Sequence, residues 1–206
     1  MPSLFILIPI FGIIILNLPL GGLLKKCAFW YAFALFSLQI ILAIFHNPFF
    51  WSGELESISK FFNVSFTIDH LGFLMLLSIG IVCLSSLVVS RYVITDEDER
   101  FNFINLLIIA SIGLCGVVMV KDIFSMYVFL EVTAVASFIL IAFDRGRHAL
   151  EGAFKYIVLS SVASIMMLSS IALFILIAGD TSFSSIAAAL KAGTPGIQTR
   201  NFGIRF

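Results

Sequence analysis

Residues 121–156 read KDIFSMYVFLEVTAVASFILIAFDRGRHALEGAFKY, and their pattern sets the fold. From Ile123 to Phe143 the chain is apolar over the length needed to cross a hydrocarbon core about 30 Å thick. A polar turn, DRGRHALEG, follows, and a second apolar run opens near Gly152. Two charged residues interrupt this scheme: Glu131, in the middle of the first run, and Lys155, just inside the second. A charge at the bilayer centre costs about 3 kcal/mol on insertion scales, so both are read as members of an ion pathway.

The whole composition agrees with that stretch. Charged residues are 12% of the chain, hydrophobic ones 61%, and the mean hydropathy is +1.13. A soluble domain carries roughly twice that share of charge, so this is an integral membrane protein. Twelve basic and twelve acidic side chains cancel, which argues against nucleic acid as a partner. Cys27, Cys83 and Cys115 stand singly with no CxxC spacing. They are expected to be buried thiols, with neither a metal site nor a disulfide framework. With no cysteine cluster for iron–sulfur ligation and no nucleotide loop, no cofactor is expected, and electron transfer belongs to some other protein.

Apolar runs at about 3–24, 27–46, 71–90, 102–120, 123–143 and 152–178 predict an all-α, polytopic membrane bundle of six transmembrane helices. No Lys or Arg precedes the first run, which is therefore an uncleaved helix, with Pro9 and Pro19 kinking it or marking its ends. With the amino end outside, the inner loops hold Lys25, Lys26, Arg91, Arg100, Arg145 and Arg147, and the outer ones Lys60 and Lys121. That distribution satisfies the positive-inside rule. Residues 52–63, SGELESISKFFN, read as a short amphipathic surface helix, Asp69 as the cap of the third span, and the acids of 96–99 as a solvated connection. Residues 179–206 read as a short amphipathic segment and an irregular tail, too short for a seventh span.

Glu131 lies eight residues into its run, about 12 Å along the axis and near the midplane. The alternative to a transport role is a structural carboxylate bonded to another helix. Lys155 sits about three residues inside its span, where its stem can also snorkel toward the headgroups. The axial offset between them is roughly 13 Å, more than a direct pair spans, so a water or a second polar side chain is expected between them. Glu151, four residues before Lys155, is its obvious local partner. Ser160, Ser161, Ser164, Ser169 and Ser170 are expected mainly to bond across to neighbouring helices. His148, placed in the inner loop, is an accessory candidate for proton uptake, against the plainer reading of a solvated histidine.

Three segments together carry a resemblance: TIDHLGFLM before the third run, KDIFSMYVFLEVTAVASFILIAF into the fifth, and HALEGAFKYIVLSSVASIMML in the sixth. They resemble the proton-conducting membrane transporter family, that is, the antiporter-like subunits of respiratory complex I, of Mrp-type cation/proton antiporters and of membrane-bound hydrogenases. The resemblance implies that Glu131 matches the fifth-helix glutamate that modulates lysine pKa values, and Lys155 the sixth-helix lysine. The family core has two inverted halves, and this chain stops before the helix bearing the next lysine, so another chain is expected to supply the remainder. The implied function is that of a non-redox membrane subunit contributing to proton or sodium translocation in a multisubunit complex of the prokaryotic inner membrane. A non-conducting scaffold subunit is the alternative.

Overall fold

The computed structural model describes residues 3–18, 23–45 and 66–191. They form seven helices: α1 Leu4–Leu16, α2 Leu23–Phe45, α3 His70–Val93, α4 Glu97–Met119, α5 Ile123–Ile141, α6 Arg147–Ala178 and α7 Phe183–Lys191. No strand occurs among the described residues, only two isolated bridges, so the architecture is an all-helical membrane bundle. Five helices, α2 to α6, are long and apolar enough to cross a bilayer. The expected amphipathic helix at 52–63 and the tail after Lys191 lie outside the described residues.

Helix α1 departs from the expected 3–24 span. It has 13 residues, about 20 Å at 1.5 Å per residue, short of a core about 30 Å thick. Asn17 ends it: its backbone N–H and its Nδ2 both turn back to Ile13 O at 3.0 Å, and Nδ2 also reaches Asn105 Oδ1 of α4 at 2.9 Å. Pro19 follows, and a proline disfavours helical backbone at the residue before it. Lys25 and Lys26 consequently stand in the first turn of α2 instead of in a loop.

Two other boundaries move outward from the apolar runs for one reason, which is that hydropathy marks the part of a helix in lipid and not its ends. The acids expected as a connection form the first turn of α4. Asp96 caps it through Oδ2, which accepts from Glu99 N at 3.1 Å, and Glu97, Asp98 and Glu99 meet the positive end of the helix dipole. Helix α6 starts at Arg147, not 152, after a turn in which Arg145 takes a positive φ of 54°. His148 is therefore a first-turn residue of α6 and not a loop histidine.

Asp69 and Asp122 cap α3 and α5 by accepting from Gly72 N at 2.6 Å and Ser125 N at 2.7 Å. Removing the Asp122 cap with Asp122→Ala is expected to cost about 1 kcal/mol and to speed amide exchange in the first turn of α5 alone.

Helix α4 is the hub, packing against α1, α2, α3 and α5, while among the described helices α6 packs mainly on α5 and α7. The core of Phe5, Phe36, Leu76, Leu87, Ile104, Ile108, Cys115 and Met119 lies wholly within α1 to α4. Cys83 and Cys115 are buried, but Cys27 is exposed, against the expectation of three buried thiols. At the far end of the bundle, Ile123 N donates to Thr181 O and Phe183 N to Lys121 O, tying the start of α5 to the start of α7.

Gly179, with a φ of 73°, closes α6 in the left-handed conformation. Beside it the Asp180 carboxylate accepts from Ser182, Ser185 and the Thr181 amide, which hold its pKa below the usual aspartate value. A depressed folded pKa stabilises the turn above the unfolded value, and the benefit is lost as pH falls through the folded one. The protection of the Thr181 amide, its exchange rate relative to that of an unstructured peptide at the same pH, is thus expected to be constant through neutral pH and to fall only in acid below the normal aspartate range.

Candidate ion-translocation site

The rotation of α5 is decided by α4. A methyl group placed on Gly113 would overlap Thr133 Oγ1 and stand 3.0 Å from both Phe129 O and Thr133 N. One on Gly116 would run into the Phe129 ring. Two glycines one turn apart thus let the α5 backbone approach closely, with Phe129 and Thr133 pressed against α4. At 3.6 residues per turn, position 131 lies about 200° around the helix from either of these, so Glu131 is turned away from α4 and toward α6.

On α6 the side facing α5 is a stripe of Ala153, Ser160, Ser164, Met167 and Ile171, whose spacing keeps one helical face and whose members are all buried or half-buried. Ser164 donates its hydroxyl proton to Glu131 Oε1 in a short hydrogen bond. Ser161, Ser169 and Ser170 instead bond to the carbonyls four residues back on their own helix. Ser164 is therefore the polar side chain that meets Glu131, and the half-buried carboxylate has no ion pair among the described residues.

Lys155 is not brought to Glu131. It lies nine residues before Ser164, about 13 Å along α6, and about 180° around it. Its Nζ pairs with Glu151 Oε1 at 2.6 Å, one turn away on the same helix, with the two side chains 68% and 53% exposed. His148 is exposed in the first turn of α6. Of the four candidate residues, then, Glu151 and Lys155 form one cluster and Glu131 sits in another.

The axial spacing already argued against a direct pair, and a helical wheel would have added the rest: Ala153 to Ile171 gives the α5-facing stripe, and Lys155 falls off it. Gln39 went unnoticed. It is buried on α2 and donates Nε2 to Cys115 Sγ of α4 at 3.0 Å.

Residues 120–204, which include Glu131, Ser164 and Lys155, match the family described as NADH:quinone oxidoreductase/Mrp antiporter, transmembrane. Over that segment the chain resembles this antiporter-like family. A subunit N of NADH-quinone oxidoreductase from Maricaulis maris is 29% identical over 172 residues, 82% of this chain and 34% of the relative. Subunit N 1 from Rhizobium meliloti is 33% identical over 111 residues, 53% of this chain and 22% of the relative.

Two solved structures share the antiporter-like fold. The structure of the membrane-bound sulfane sulfur reductase, an archaeal respiratory membrane complex, aligns with a TM-score of 0.76 at 22% identity, over 91% of this chain and 39% of that one. The structure of the Mrp complex from Dietzia gives 0.76 at 19% identity, over 92% and 38%. The chain spans about a third or less of the length of the curated relatives it matches.

Proposed function

We propose that this antiporter-like chain contributes to proton or sodium translocation in a multisubunit complex of the prokaryotic inner membrane, with Glu131 as the titrating group. Its partners are other membrane subunits, one of them supplying helices beyond those described here. The observation that carries this reading is the Glu131–Ser164 contact. A carboxylate halfway along a 19-residue apolar helix is met by a hydroxyl and by no cation among the described residues.

A hydroxyl can donate to the ionised carboxylate and accept from the protonated one, so both charge states keep a partner at that position. A salt bridge would have favoured one state only. Lys155 and Glu151 form the second station, nearer the α6 amino end, and the ammonium is exchanged between Glu151 and groups on whatever covers that exposed face. The end of the bundle bearing Arg91, Arg100, Arg145 and Arg147 faces the cytoplasm.

The test is ion uptake into vesicles holding the assembled complex, with subunit stoichiometry measured in parallel. Under this reading Glu131→Gln assembles normally and fails to translocate. Undiminished uptake in that variant would turn the chain into a scaffold.

A further inference from the structure

At the end of the bundle opposite α7, α2, α3 and α4 enclose a cavity of about 150 Å³ lined by Phe29, Trp30, Arg91, Glu97, Arg100 and Phe101, with Ile104 at its floor. The Arg91 guanidinium stands 5.0 Å from the Phe29 ring centre and 5.8 Å from that of Trp30, and those two rings pack edge to face at 5.7 Å. Cation–π attraction to two rings holds the guanidinium in place without using its N–H donors. The side chains of Arg91, Glu97 and Arg100 share the cavity wall, yet none makes a hydrogen bond or an ion pair with another described residue. Three charged groups held around one cavity without neutralising each other are arranged for a ligand carrying both signs.

Position narrows the ligand. Arg91 is in the last turn of α3, and Arg100 directly precedes the residue where the apolar part of α4 begins. Trp30 and Tyr92, both largely exposed, flank the same level as an interfacial aromatic belt would. The cavity thus opens at headgroup depth, polar at its mouth and apolar at Phe101 and Ile104. Charge then discriminates among headgroups: the wall itself carries two guanidinium groups, Arg91 and Arg100, and one carboxylate, Glu97, so a headgroup with an ammonium beside its phosphate meets a partner for each sign.

We propose that this cavity binds the headgroup of a zwitterionic phospholipid with a primary amine, the phosphate lying between Arg91 and Arg100 and the ammonium against Glu97. Guanidinium matches a phosphate diester through two parallel N–H···O bonds, and the carboxylate receives the amine in a charge-assisted one. The site is independent of whether the chain conducts ions.

The experiment is delipidation of the complex in mild detergent, re-addition of phosphatidylethanolamine, phosphatidylcholine or phosphatidylglycerol, and counting of retained lipid by native mass spectrometry. Inorganic phosphate serves as a competitor. The wild type is expected to retain phosphatidylethanolamine above the other two. Arg91→Gln is expected to weaken retention about ten- to a hundred-fold, the equivalent of one lost charge-assisted pair. Arg91→Lys, which keeps the charge but not the forked geometry, is expected to fall between. Glu97→Gln is expected to erase the preference for the amine while leaving phosphate-dependent retention.

Equal retention by wild type and Arg91→Gln overturns the proposal. So does a Glu97→Gln variant that still prefers phosphatidylethanolamine, or displacement of the lipid by millimolar phosphate, which would mark a free-anion site.

Discussion

Gly113→Leu is expected to separate α5 from α4 and to destabilise the bundle by about 2 kcal/mol or more, after about 1 kcal/mol of gained helix propensity is set against the overlap. The reason lies in what the new side chain meets. Beyond the Thr133 hydroxyl, the first added carbon stands 3.0 Å from two backbone atoms of α5, Phe129 O and Thr133 N. Backbone cannot rotate out of the way, so the whole helix must move.

Gly116→Ala differs, because its obstacle is the Phe129 ring, and a side chain can be trimmed. Pairing Gly116→Ala with Phe129→Ala is therefore expected to recover stability relative to Gly116→Ala alone. Pairing Gly113→Ala with Thr133→Ala is expected to recover only part, because the overlap with the hydroxyl goes and the close backbone contacts stay. Thermal unfolding of the four variants in detergent checks this, and full rescue of the Gly113→Ala background by Thr133→Ala would refute the backbone contact. Displacing α5 also carries Glu131 away from Ser164, so the packing variant is expected to lose transport along with stability.

Glu131→Gln is expected to leave assembly intact and to reduce ion translocation to less than about a tenth, the equivalent of 1.4 kcal/mol or more on the limiting step. Glutamine keeps the shape and can still accept from Ser164, so a purely structural tie at this position survives the change. What it cannot do is bind and release a proton. Ser164→Ala separates the two contributions. It removes the hydroxyl and leaves the carboxylate, with an expected loss of about 1 kcal/mol for the bond.

A double-mutant cycle between Glu131 and Ser164 is expected to show coupling of at least about 0.5 kcal/mol, as groups in contact do. The same cycle between Glu131 and Lys155 is expected to stay within about 0.5 kcal/mol in this chain, given 13 Å of axial offset and opposite faces of α6. Strong coupling in the second cycle would mean that Lys155 reaches Glu131 by a rearrangement, and that the pairing with Glu151 is only one of its positions.

The sequence by itself determined that this chain lives in a bilayer and crosses it repeatedly, because hydrocarbon imposes a long apolar run on every spanning helix and lets each run be read locally. It also singled out Glu131, since an acid in such a run stands out whatever surrounds it. It misjudged the ends of α1, α4 and α6, because hydropathy registers neither the Asn17 turn that stops α1 early nor the polar first turns with which α4 and α6 begin outside their apolar runs.

Only the tertiary structure decided whom Glu131 meets. That choice depends on the rotation of α5, which is fixed by two glycines on α4 more than ten residues away in sequence, and on which face of α6 is packed. Lys155 and Ser164 both lie on α6, and packing against α5 turned the serine inward and left the lysine to its own helix.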